Sequence, residues 1–222
     1  MKKTLLFMLA AGVIMAAPAA YAQDGYDFYD EELGSEADVI YEKGHKALYE
    51  DEDALEAIRL YEKALTYDPG HPLALEELTA AYNLVERYAD AVLVGERLIE
   101  ISPDNAAAYY HLGVAYGMTD RAGMGMTAYE RAIQLDPEYI EALANLAALH
   151  YQLGNNWESR HMFFKVRRLI DERGVKQPDG MDYTELRGQV EKYIAELTDA
   201  KKLRTDLEQR RLWEESQQAD KK

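Results

Sequence analysis

Cysteine is absent from this 222-residue chain. No disulfide can staple the fold, no thiolate can act as nucleophile or metal ligand, and no lipid can be attached through sulfur. Positive charge is scarce. Lys and Arg number 25 against 41 Asp and Glu, and the resulting formal charge of −16 repels nucleic acid and anionic lipid headgroups. The histidines are His45, His71, His111, His150 and His161, and no two have the i,i+4 spacing of a zinc-peptidase helix. A glycine-rich phosphate loop ending in Lys-Ser/Thr is missing too. Carboxylates are plentiful but form no recognisable acid–base constellation. These absences argue against an enzyme and against any cofactor.

Long apolar runs are also missing, with one exception at the N-terminus. Lys2 and Lys3 precede an apolar run from Leu5 to Ala17, Pro18 breaks it, and Ala20-Tyr21-Ala22 has a small-x-small form. That is the layout of a secretory signal peptide spanning 1–22, cleaved after Ala22. The run is shorter than the roughly 20 residues that span a bilayer, and no other apolar stretch is long enough to cross one, so no membrane span is expected after cleavage. The expected location is the periplasm or the medium. Residues 23–37 then read as an acidic, aromatic, flexible leader, with Ser35 and Asp38 placed as a capping box for the first helix.

What the chain has in abundance is periodicity. Pro69, Pro103 and Pro137 follow one another at 34-residue intervals. Such a period is the signature of stacked helical hairpins. Alignment on the prolines gives units 38–71, 72–105 and 106–139. Tyr41, Leu75 and Tyr109 then share one offset, Tyr82 and Tyr116 another, and Ala57, Ala91 and Gly125 a third. Bulky residues at i+3, i+4 and i+7 build one helix face. The small residue marks a close helix crossing, and the residue before proline ends the second helix. A degenerate unit at 140–170 keeps Ala142, Leu143, Leu146 and Gly154 in phase, but lacks the terminal Asp-Pro.

These units resemble tetratricopeptide repeats. Tyr109, Leu112, Gly113, Tyr116, Tyr129, Ala132 and Pro137 form the fullest match, while Gly44, Thr79 and Gly95 depart from the pattern. The resemblance implies an all-α, right-handed solenoid over 38–170 and a protein-binding scaffold, which the signal layout would place in an envelope or exported complex. By offset it also implies a partner-binding groove. The first unit gives Glu42, Lys46 and Tyr49; the second gives Glu76, Glu77 and Asn83. The third gives Tyr110, His111, Val114 and Met118; the fourth gives Glu141, Asn145, Ala148, Tyr151 and Gln152. Members that hold a peptide carboxylate use Lys, Asn and Arg at offsets occupied here by Glu42, Lys46, Glu77, Ala107 and His111, so that clamp is missing. The acids favour a protein or peptide partner with a basic segment.

The C-terminal part reads as a loop at 171–182, carrying Gly174, Pro178 and Gly180. Asp182 and Glu185 suggest a second capping box. A helix over 183–217 follows, with Leu186, Val190, Tyr193, Ile194 and Leu197 on one stripe, and a short tail occupies 218–222. The first half is expected to cap the open end of the solenoid. The second half, with Lys202, Asp206, Arg210 and Glu214 alternating in sign, is expected to project. Between Arg160 and Lys176 the charge turns basic, so an acidic front and a basic rear are compatible with homo-oligomers. One alternative function stands apart: Met118, Met124 and Met126 with His111 offer soft ligands for Cu(I).

Overall fold

A computed structural model describes residues 35–176 and 181–199, together with Glu208 and Arg211. Regular structure among them is helical, apart from an isolated β-bridge between Lys176 and Asp182. Four hairpins follow in order: α1 (Glu36–Tyr49) with α2 (Ala54–Tyr67), and α3 (Pro72–Leu84) with α4 (Tyr88–Ile101). Then come α5 (Ala106–Met118) with α6 (Ala122–Leu135), and α7 (Ile140–Gln152) with α8 (Asn156–Arg173). A last helix, α9 (Thr184–Leu197), packs on the fourth pair. The architecture is the all-α solenoid expected. No described helix is long and apolar enough to cross a membrane. The signal segment, the leader up to Gly34 and most of the C-terminal segment beyond Asp199 lie outside the described residues.

The 34-residue period reappears as geometry. Each hairpin turns through a left-handed residue: Glu52, Glu86, Asp120 and Gly154, with φ of 54°, 61°, 58° and 79°. Only the last is glycine, so three turns hold a side chain in a region that L-residues disfavour. Helix starts are capped by side chains. Ser35 forms the expected box with Asp38, Asp53 accepts from the Glu56 N–H, and Asn105 from the Ala108 N–H. His71 Nδ1 accepts from the Ala74 N–H while its Nε2 meets Asp38 at 3.0 Å, which ties α3 to α1. The Tyr82 hydroxyl donates to Glu62 and the Tyr116 hydroxyl to Glu96, the same bond one period apart.

The core explains the departures from the repeat pattern. A Cβ on Gly113 would come within 2.7 Å of the Tyr129 ring, and one on Gly44 within 2.7 Å of the Tyr61 ring. The second unit inverts the pair: Thr79 takes the glycine's place and Gly95 the tyrosine's. A Cβ at Gly95 would stand 3.3 Å from the Thr79 methyl and 3.2 Å from Leu112. The volume is kept and its source exchanged.

Gly44 also exposes a register error in the sequence alignment. Tyr41 stacks on His71 with ring centroids 5.2 Å apart, as Tyr110 meets Tyr139 at 5.1 Å. His71 and Tyr139 are two periods apart, yet Tyr41 and Tyr110 are separated by one residue more. Helix α1 therefore sits one residue earlier than proline alignment places it. The slack lies in the turn after it, where the Glu50 and Asp51 N–H groups both bond the Lys46 carbonyl.

At the rear, α8 runs to Arg173, three residues into the stretch expected as loop. The expected capping box at Asp182 does not form. Helix α9 opens on Tyr183 without a side-chain cap, Asp182 takes the Thr184 N–H at 2.8 Å, and Glu185 bonds Gln189 instead. Leu186, Val190, Ile194 and Leu197 are buried against Ile140, Leu143, Phe163 and Val166, so α9 covers the open end of the solenoid.

Candidate functional site

The concave wall is built by the first helix of each hairpin, α1, α3, α5 and α7. Expected groove residues fall into two groups. In the front half, Glu42 and Lys46 are exposed, and Tyr49, Glu76, Glu77, His111 and Met118 are partly accessible. In the rear half, the expectation of an open groove is corrected. Tyr110, Val114, Glu141, Asn145 and Ala148 are all under 9% exposed, and so is Asn83 on α3. Of the fourth unit's set, Tyr151 is partly buried and Gln152 exposed.

The reason is local crowding. Tyr110 is enclosed by Tyr129 and Tyr139. The Tyr183 hydroxyl donates to Glu141 at 2.9 Å, bringing the chain just before α9 onto the wall. The Tyr151 hydroxyl donates to Glu196 on α9, and its ring meets Tyr193 edge-on at 5.1 Å. Asn83 donates its amide to the His111 carbonyl at 2.9 Å, holding α3 to α5. These side chains hold the wall together rather than lining an open surface.

The front half keeps two adjacent carboxylates in a desolvated place. The Tyr49 hydroxyl donates to Glu77 at 2.8 Å, and the Asn105 amide donates to Glu76. Burial pushes the Glu77 carboxyl up to about 7; the Tyr49 bond offsets part of the rise and Glu76 adds to it. Burial raises Glu76 as well, partly offset by Asn105. Among the described residues, no ion pair reaches either acid. On α5, burial lowers His111 to about 4, which keeps the imidazole neutral. Its Nδ1 has no hydrogen-bond partner. Glu141 in the rear is also raised by burial, but there its own backbone and the Tyr183 hydroxyl compensate.

Asn105 was not singled out from the sequence, although an Asn just before a helix is a cap signal and its free amide group can reach a neighbouring helix. Tyr139 and Tyr183 gave no signal at all, because their roles depend on what the adjacent hairpin brings. The proposed soft-metal ligands separate in environment: Met124 is half exposed, whereas Met126 packs against the cluster containing Tyr129 and Leu146.

The chain matches the family described as tetratricopeptide repeat over residues 106–139, and the family described as TPR repeat over 126–154. No curated protein matches it. A solved structure of MamA from Desulfovibrio magneticus RS-1 is 26% identical, with a TM-score of 0.58, covering 62% of this chain and 77% of that one. The first TPR domain of human RPAP3 is 26% identical with a TM-score of 0.51, covering 54% of this chain and 93% of its own. A further structure shows the first TPR of Spaghetti (RPAP3) bound to the HSP90 peptide SRMEEVD. The thermophilic TPR protein TTC0263 of Thermus thermophilus, 19% identical with a TM-score of 0.56 over 72% of this chain and 80% of that one, shares the fold.

Proposed function

We propose that this chain, which belongs to the tetratricopeptide-repeat family, is a non-catalytic scaffold that binds a basic segment of a partner protein along the front half of its concave wall. One observation carries this reading. Glu76 and Glu77 lie side by side in a partly buried wall, held among the described residues by neutral donors from Tyr49 and Asn105. Burying carboxylates without a cation is unfavourable, and a Lys or Arg from outside would relieve it. Exposed Glu42 extends the same negative strip onto α1. The repeat architecture is a protein-interaction scaffold, and one structural neighbour is seen with a peptide bound. That peptide carries acidic residues, whereas an acidic wall calls for the opposite charge.

The proposal includes export. The N-terminal layout from Lys2 to Ala22 supports a periplasmic or secreted protein starting at Gln23. N-terminal sequencing of the protein recovered from its native compartment should read Gln23 onward; an intact Met1 would rule out export by this route.

The binding test is a crosslinking capture with the chain from Gln23, run beside a Glu76→Gln/Glu77→Gln variant. A partner with a basic segment, held by the first and lost by the second, supports the reading. A partner that binds both equally moves the site away from this wall.

A further inference from the structure

The last hairpin, on which α9 packs, carries a chemistry along α8 that the first three do not use. In α2, α4 and α6 the edge facing the next unit carries Ile58, Val92 and Met126 at one offset and Leu65, Ile99 and Ile133 seven residues later. These six are buried or partly buried against neighbouring clusters. Between them stand Glu62, Glu96 and Glu130, of which the first two accept the hydroxyl of the next unit's tyrosine. At the same offsets α8 has Arg160, Phe164 and Arg167. Two apolar positions have become arginines, and the acid has become an aromatic ring.

A terminal repeat needs a polar outer edge for solubility. Solubility alone does not require that the edge be basic in a chain with a net charge of −16. The Arg167 guanidinium lies 4.7 Å over the Phe164 ring and 3.8 Å from Glu191, a partly exposed cation on an aromatic platform. One turn before Phe164, the Nη1 of Arg160 is shut off from water with no hydrogen-bond partner. An unpaired buried guanidinium nitrogen calls for an anionic acceptor. A cavity of about 700 Å³ opens along this helix, lined by His161, Phe164, Lys165, Arg167 and Arg168 together with Asp171 and Glu172.

The chain itself carries a segment of the complementary kind. Residues 23–34 hold Asp24, Asp27, Asp30, Glu31 and Glu32, no Lys or Arg, and the aromatic residues Tyr26, Phe28 and Tyr29. This segment joins α1 at the front of the solenoid, and the basic edge lies at the rear. Twelve residues reach at most about 40 Å fully extended. Three helix-to-helix steps of about 10 Å plus the depth of α8 use nearly all of that reach. Docking within one molecule would thus leave the segment taut, whereas docking onto a second molecule carries no such constraint.

We infer that the edge of α8 built from Arg160, Phe164 and Arg167 receives residues 23–34 of a second copy, so that the protein associates head to tail. This contact is separate from the Glu76–Glu77 wall, and either can fail without the other. A head-to-tail contact that does not close gives open chains.

Sedimentation velocity on the chain from Gln23, across a concentration series, tests this with two variants. One neutralises the leader (Asp27→Asn/Asp30→Asn/Glu31→Gln/Glu32→Gln) and changes no residue of the described helices. The other reverses the edge (Arg160→Glu/Arg167→Glu), with its helicity checked by circular dichroism. The unmodified chain is expected to form species growing with concentration, weakened at least about tenfold by raising salt to ~0.5 M. Each variant alone is expected to stay monomeric, and a mixture of the two to stop at dimers, because only one leader and one edge remain competent. Three results would overturn the inference: an unmodified chain that stays monomeric, a leader variant that associates as before, or a mixture that stays monomeric.

Discussion

The front and rear halves of the concave wall use the same hairpin geometry and end in different states. In front, Glu76 and Glu77 are held by one tyrosine hydroxyl and one amide, and the surface remains partly open. At the rear, Tyr110, Asn145 and Glu141 occupy comparable positions and are closed over. The difference comes from the neighbours. Tyr139 fills the space beside Tyr110, and α9 with Tyr183 covers α7. Openness in a solenoid is therefore a property of the next unit as much as of the helix that carries the residue.

The largest effect expected from breaking this contrast is at Phe163. Its side chain is fully buried under α9 and stacks on Tyr193 at 4.8 Å. Phe163→Ala should destabilise the protein by about 3–5 kcal/mol in chemical denaturation. It should also open the rear wall, seen as faster amide exchange in α9 than in α1–α4. Uniform exchange along the chain would show that α9 is no separate cover.

Next comes Gly113→Ala, whose new methyl would meet the Tyr129 ring. A loss of about 1–3 kcal/mol is expected, from the shift of a buried ring in a filled core. Ala at Gly123, where nothing stands within 4 Å of a Cβ, is the control and should be neutral or stabilising.

Glu77→Gln sharpens the contrast from the front. The folded carboxyl is raised to about 7 against 4.5 for the ordinary group. A raised acid contributes stability that is complete below its unfolded pKa and is lost as pH rises through the folded one. Melting temperature should therefore fall between about pH 4.5 and 7 in the parent and be flatter in the variant. At pH 7.5 the variant should be more stable by roughly 1–3 kcal/mol. Equal slopes would mean that Glu77 is solvated. The matching change at Glu141 should give less, since its own backbone and the Arg173 charge add to the Tyr183 hydroxyl in compensating that carboxyl.

The smallest effects lie in the hairpin turns. Glu86→Gly removes a side chain held at φ 61° and should stabilise by about 0.5–1 kcal/mol, whereas Gly154→Ala at φ 79° should destabilise by a similar amount. Opposite signs at equivalent positions would confirm that all the hairpins turn through the same backbone conformation.

Much of the fold was legible in the chain. The proline spacing, the small residues at the crossings and the cap at Ser35 gave the hairpins and their order, because periodicity and capping are local properties. The register of α1 was not legible. Its one-residue slip is absorbed in the turn after Tyr49, and only the rings of Tyr41 and His71 reveal it. Thr79 and Gly95 looked like two defects and are one exchange of volume, visible only when both helices are side by side.

The candidate site divided along the same line. The offsets of the repeat that the chain resembles placed Glu42, Glu76 and Glu77 on the concave wall, and the acidic character of the front follows from their residue types. Whether Tyr110, Asn83 and Asn145 face solvent was decided elsewhere, by Tyr139, the His111 carbonyl and the arrival of α9. The chain by itself determined the helical hairpins, their period and the sign of charge along them, since these rest on contacts a few residues apart. The tertiary structure alone decided the register of α1, the pairing of small and large core residues, and which half of the wall stays open. Each of those depends on volume and hydrogen-bond donors supplied from tens of residues away.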